Sequence, residues 1–428
     1  MNQINRPTIK NRILSILQHI TKTDVNYLLK GSFWLTLGQV LATASSLILS
    51  IVLAHTLPKE VYGNYKFILS LAGIISGLSL SGIGTTLIQS VAKGNEGTLY
   101  LAVKTQLKWS SVVSIVSIAM SIYYFAQDNI IIATSMLIVA MTVPITNSIG
   151  LYGAFLSGKK DFKRNTIYGT FSQLIVTFVI ITIAISTHSV IALIFGYFVS
   201  GLVISLYLYK KTLSIYNPSK DNSDPSMIKY GTHLSAMGFI GTIANQLDKV
   251  LVFHSIGAAP LAVYAFASAI PEQIKGTLKN ILNIGIPKFA QLDEITLRKS
   301  INDKVIRLTI FSTIIVMLYW FAAPYIYNIF FPKYSDSIYY SQLYSLGLIV
   351  FPGISFYSAY FQLIKDTKTL YFLTVSGNVI TILLSLILIP KYGILGATIE
   401  NTLSWVCYLI INITLFIHRG KKINRKEL

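Results

Sequence analysis

SVIALIFGYFVSGLVISLYLY, residues 189–209, runs for 21 positions without a charged side chain. At about 1.5 Å of rise per residue, a helix of that length covers roughly 30 Å, the hydrocarbon thickness of a bilayer. Comparable apolar runs lie before it, at roughly 31–56, 67–91, 109–126, 129–155 and 166–187. Others follow at 230–256, 259–287, 307–330, 338–364, 370–389 and 393–417. All are too long for barrel strands, and lipid offers the backbone no hydrogen bonds, so helix is the structure open to them. The fold class read from the sequence is an all-α membrane protein of about 12 transmembrane helices.

Composition supports this. Hydrophobic residues make up 53% of the 428 and charged residues only 12%, against about a quarter charged in soluble domains. The formal charge of +19 raises nucleic acid as a partner, but the placement of the charge argues otherwise. Of the 35 lysines and arginines, 28 fall in the N-terminus, in 93–108, 156–165, 210–229, 288–307 and 365–369, and in the C-terminus. The alternate connections hold only Lys59, Lys66, Lys333 and Lys391. Positive residues stay inside, so both termini are expected in the cytoplasm. The charge then reads as topology and attraction to anionic membrane lipid, with no nucleic-acid partner. The basic residues 1–30 lack the cleavage pattern of a secretory signal. The one cysteine, Cys407, sits in an apolar run, so no disulfide or thiolate metal site is expected, and no cofactor.

The chain also repeats itself. A shift of 199 residues pairs His55 with His254, Thr56 with Ser255, Tyr65 with Tyr264 and Phe67 with Phe266. Six spans separate the copies, an even number, so the two halves are expected to run parallel about an axis along the membrane normal. This gives a basic N-terminus (1–30), an N-lobe (31–210), a polar cytoplasmic linker (211–229), a C-lobe (230–417) and a basic tail (418–428). Two six-helix lobes facing a central cavity are a transporter plan.

Ionisable side chains inside a bilayer are costly and usually face a wet cavity or a partner. Six occur within spans: Asp248, Lys249, Glu272, Lys275, Lys279 and Glu400. Ser268, Glu272, Lys275, Lys279 and Asn283 share one face of span 8, and Thr242, Asn245, Gln246 and Lys249 one face of span 7. The two span-8 lysines suit a diphosphate arriving from the cytoplasm. The plainer alternatives are a Glu272–Lys275 pair and Lys279 snorkelling to the interface. Asp248 is expected to find its partner on span 8, since i,i+1 neighbours diverge on a helix. It serves as a structural ion pair or as a coupling and gating group. Glu400 lines the cavity or hydrogen-bonds between helices. Hydroxyls such as Ser45, Ser46 and Ser79 read as helix packing, leaving Gln89 as the N-lobe candidate. Pro144, Pro271, Pro324 and Pro352 are expected to kink their helices. No P-loop, zinc-type histidine cluster or long outer loop is present, so no enzyme is expected.

Three stretches carry a resemblance. They are Leu57-Pro58-Lys59-Glu60-Val61-Tyr62-Gly63-Asn64-Tyr65, Gln246-Leu247-Asp248 with Tyr264, and Ile389-Pro390-Lys391-Tyr392-Gly393-Ile394-Leu395-Gly396-Ala397. With its twelve spans, the chain resembles the Wzx-type polysaccharide (O-antigen) flippases of the multidrug/oligosaccharidyl-lipid/polysaccharide exporter superfamily. The resemblance implies alternating access around a cationic cavity. It also implies an undecaprenyl-diphosphate-linked oligosaccharide as cargo, and the pathway's polymerase and chain-length regulator as partners. Asp248 matches a position where that family commonly has aspartate. The chain departs from the pattern at Glu400, commonly alanine, at Gln89, commonly arginine, and at Ala262, commonly glycine. A cation-coupled drug antiporter, a lipid II flippase and a membrane polymerase or ligase are the rival readings. A drug antiporter needs an acidic, aromatic cavity, whereas these lysines suit an anionic head group.

Overall fold

The computed structural model describes residues 25–289 and 292–427. The expected N-terminal segment lies mostly outside the described residues, as does the side chain of Asn283. Among the described residues the chain is helical with no strand, and twelve spans alternate in direction. Span 1 is Val25–Thr56, span 2 Lys59–Ser76 with Gly82–Ala92, span 3 Thr98–Trp109 with Ser111–Phe125, and span 4 Ile130–Ile149 with Tyr152–Gly158. Spans 5 and 6 are Phe162–Ser186 and Val190–Tyr216. In the second half, spans 7 to 9 are Ser226–Ile256, Ala258–Phe289 and Glu294–Phe330, and span 10 is Ser337–Ser345 with Gly347–Leu363. Spans 11 and 12 form one bent helical stretch, Thr367–Glu427.

Among the described residues eight helices are long and apolar enough to cross a membrane, the 55-residue stretch Thr367–Lys421 being one of them. That stretch turns at Gly393, whose φ of 59° is the left-handed region glycine tolerates, and so makes two crossings. The three spans outside the eight are 2, which is broken at 77–81, and 7 and 8, which carry five of the six charges that the sequence placed within the membrane.

Helix ends follow local chemistry. Asn129, Ser189, Asp161 and Asp293 accept hydrogen bonds from the backbone N–H of Ile132, Ala192, Arg164 and Thr296, satisfying donors a helix N-terminus leaves open. The helices run through Pro144, Pro324 and Pro352. Interruptions of the helical spans fall at 77–81, at Ser110, at Gly150–Leu151 and at Leu346. The linker is shorter than expected, because span 6 continues to Tyr216 and span 7 starts at Ser226. Its polar middle is docked, the Asn222 carbonyl accepting from Gly97 N at 2.8 Å.

The repeat is visible in detail. Helices begin at Lys59 and at Ala258, 199 residues apart. His55 Nδ1 lies 2.8 Å from Ile51 O, and His254 Nδ1 lies 2.9 Å from Val250 O, the same contact in each copy. Both histidines sit at one end of the bundle, here termed the His55 end.

One apolar core there is shared by both lobes. Tyr62 stacks on Phe266 at 4.6 Å and Phe67 on Phe253 at 3.8 Å. Lys59 Nζ donates to Asp336 at 2.9 Å and Lys333 Nζ to His55 O at 2.6 Å. Toward the opposite, linker end the C-lobe has a core around Phe356, Tyr360 and Phe416, and another core around Ile83, Leu87 and Phe155 takes in Met227 of span 7. There the lobes touch along one seam, span 2 against span 7, where Ser235 Oγ accepts from Gly82 N at 2.9 Å. The bundle is shut at the His55 end.

Candidate functional site

The C-lobe half of the site is built where spans 7, 8, 10 and 12 converge. Tyr264 OH donates to Asp248 Oδ2 at 2.6 Å, and Lys249 Nζ lies 3.3 Å from Asp248 Oδ1. Helical spacing points Asp248 to a span-8 lysine; it pairs instead with its sequence neighbour and a span-8 tyrosine. The Cβ vectors of i,i+1 residues do diverge, but four methylenes let the lysine curl back. On span 8, Lys275 Nζ sits 2.8 Å from Glu272 Oε1 and 4.7 Å from the centre of the Trp405 ring. The i,i+3 pair anticipated from spacing is therefore formed.

Tyr344 of span 10 ties the Glu272–Lys275 pair to span 12. Its hydroxyl donates to Glu272 Oε1 at 2.7 Å and accepts from Asn401 Nδ2 at 3.1 Å. Asp248, Glu272 and Glu400 are all close enough to act electrostatically on this hydroxyl. Glu400 is 2% exposed and accepts from Ser404 Oγ at 2.7 Å, so it sits inside the lobe rather than against open space. The reason is register: Asn401, one position on, takes the face toward Tyr344. Asn401 Oδ1 is buried without a partner among the described residues.

Lys279 extends the stripe one turn toward the linker end and is exposed. Asn245 is exposed, its carbonyl 3.4 Å from Lys249 Nζ. Gln246 points the other way, toward the N-lobe: a Cβ built on Gly73 would lie 3.5 Å from its side chain. Gln89 is exposed on the short helix Gly82–Ala92, and no contact joins it to the C-lobe cluster among the described residues.

A cavity of about 660 Å³ lies elsewhere, inside the N-lobe. Ser46, Asn147, Gln173 and Tyr197 line it. Sequence reasoning misses Asn147 and Gln173 and assigns Ser46 to packing. The available signal is a lone amide at mid-span in spans 4 and 5. Ser45 does pack, its Oγ 2.9 Å from Thr177 Oγ1.

Twelve crossings in two halves related by an internal repeat, with charged groups held inside the second half, define a multi-pass membrane transporter. The fold is that of the multidrug/oligosaccharidyl-lipid/polysaccharide exporter superfamily. An inward-facing multidrug resistance MATE family transporter of that superfamily superposes with a TM-score of 0.68 over 91% of this chain and 96% of its own, at 14% identity. The lipid II flippase MurJ in an inward closed conformation gives 0.63 over 90% and 87%, also at 14%. The chain belongs to the polysaccharide biosynthesis protein family, whose profile matches residues 28–293. An uncharacterized membrane protein of Methanocaldococcus jannaschii is 20% identical over 92% of this chain and 99% of its own length.

Proposed function

We propose that the chain flips a polyprenyl-diphosphate-linked oligosaccharide, undecaprenyl in a bacterial inner membrane, from the cytoplasmic to the outer leaflet by alternating access. The observation that carries this reading is the span-8 stripe in a polysaccharide-biosynthesis chain: an exposed Lys279 one turn beyond a paired Lys275. The state described, shut at the His55 end, is the one that receives cargo from the cytoplasm, because the lysine- and arginine-rich connections lie at the opposite end.

The empty site is self-neutralised. Asp248 holds Lys249 and Glu272 holds Lys275. A diphosphate exchanges these internal pairs for its own, and on leaving lets the carboxylates close again on the lysines. Such exchange moves a conformational equilibrium only if the pairs differ between the two states. Asp248→Asn is therefore expected to insert normally and export slowly, and Asp248→Glu to keep partial function, read as surface glycan per inserted protein. Wild-type export by Asp248→Asn would remove the carboxylate from the cycle.

A cation-coupled antiporter is favoured by one feature, three carboxylates around Tyr264 and Tyr344. Deleting the gene separates the two readings. Accumulation of a lipid-linked glycan on the inner leaflet supports the flippase; loss of drug efflux with no such glycan supports the antiporter.

A further inference from the structure

We infer that the N-lobe cavity is the glycan subsite: it takes the sugar end of the cargo while the C-lobe lysines take the diphosphate. This rests on the flippase reading and adds the part of the substrate each lobe holds.

The chemistry of the cavity points to a neutral, hydroxyl-rich ligand. None of the residues lining its roughly 660 Å³ is charged, so neither a phosphate nor a cationic drug finds a counter-charge there. Volumes of about 300–1,000 Å³ are those of small-molecule sites. Two amides are held ready for hydroxyl groups. Gln173 Nε2 donates to Ala42 O at 3.0 Å and to Ser46 Oγ at 3.3 Å. Asn147 Nδ2 donates to Ser76 Oγ at 2.8 Å and to Ser79 Oγ at 2.9 Å. With their N–H groups engaged, both amides are oriented, and their carbonyl oxygens are left without a partner among the described residues as acceptors for sugar hydroxyls. Tyr152 and Tyr197 add aromatic faces to the same walls for the C–H faces of a sugar ring.

The cavity is reached from between the lobes. Gly73, Ser76 and Asn147 line it and also line a second cavity of about 250 Å³, whose other walls include Gln106 and Thr242 of span 7. Gln106 Oε1 is buried and unpartnered among the described residues, a further acceptor along that route. Gln246, at the Gly73 wall, stands where the route passes from one lobe to the other. A cargo with its phosphates on span 8 and its sugars in the N-lobe bridges both lobes, which is how one ligand comes to sense their relative position.

Two glycines make the space. Gly169 and Gly201 line the cavity, and a Cβ on either would meet nothing within 4 Å. Leucine at these positions adds bulk at the cavity wall with no clash at its Cβ, and replacing a glycine in a helix interior favours the helix.

The test uses full-length protein in a strain lacking the chromosomal copy. Gly169→Leu, Gly201→Leu and Gln173→Leu, which removes the amide, are compared with wild type for membrane level, surface glycan, and binding of undecaprenyl diphosphate without sugar by the purified protein. The expected result is normal insertion, unchanged undecaprenyl diphosphate binding and at least a tenfold loss of surface glycan for the filled cavities. Surface glycan at wild-type level with the cavity filled overturns the assignment, as does loss of undecaprenyl diphosphate binding in parallel with glycan. Failure of wild type itself to restore any glycan defeats the flippase reading instead, and the subsite with it.

Discussion

Gly63→Leu is expected to abolish transport while leaving each lobe folded. A Cβ on Gly63 would lie 1.9 Å from Ala258 O and 2.5 Å from its carbonyl carbon. These are backbone atoms at the start of span 8, so no side chain can swing aside. The lobes must part at the His55 end. That costs the Tyr62–Phe266 and Phe67–Phe253 stacks, each about 0.5–1.5 kcal/mol beyond its buried area. It also stretches the Lys59–Asp336 ion pair, which is partly exposed and contributes little. A shift of about 3 kcal/mol against the closed state is roughly a hundredfold change in its population. Because the clash is between lobes, Gly63→Leu should raise labelling of cysteines introduced along this seam at the His55 end. Full transport with unchanged labelling would mean that this seam is not a gate. Gly82, whose Cβ would lie 2.6 Å from Gly231 O, gives the matching test at the linker-end seam.

The second large effect is expected from the span-8 lysines. Lys275→Glu with Lys279→Glu should abolish export, because reversal replaces two attractions to a diphosphate with two repulsions. A hydrogen bond from a lysine ammonium to a phosphate oxygen contributes about 1.5–3 kcal/mol, or roughly ten- to a hundredfold in affinity. Lys279→Arg should be tolerated, since the exposed position asks only for positive charge. Lys275→Arg should be less so, because Lys275 is fitted between Glu272 and the Trp405 ring. The readout is lipid-linked glycan retained in the inner leaflet, normalised to inserted protein. Undiminished surface glycan from the double glutamate variant would assign the stripe to structure alone.

The fold is legible in the sequence because the bilayer leaves so few options. Residues 189–209 allow little but a helix, and the 199-residue repeat from His55 to His254 relates the two lobes before any tertiary contact is known. The site is legible in part. Helical spacing predicts the Glu272–Lys275 pair, since both residues lie on one rigid element. It gives the wrong partner for Asp248, because reach along a flexible lysine is not fixed by backbone periodicity. It allows Glu400 to line the cavity, whereas a turn of a few tens of degrees about span 12 buries it instead. The N-lobe cavity is invisible for a different reason. Its walls are serines, single amides and glycines from five spans, residues that also serve helix packing. Only their convergence distinguishes a pocket from a seam.

The central claim is movement of a lipid-linked oligosaccharide by this chain alone, and one measurement tests it directly. The purified protein is reconstituted in liposomes carrying the lipid-linked glycan that accumulates when its gene is deleted. Exposure of the sugar to an impermeant glycosidase added outside is then followed in time. The account predicts that wild type exposes nearly all of the glycan, while protein-free liposomes and the Lys275→Glu, Lys279→Glu variant stop near the half present in the outer leaflet at the start. Equal plateaus and rates in all three would contradict it.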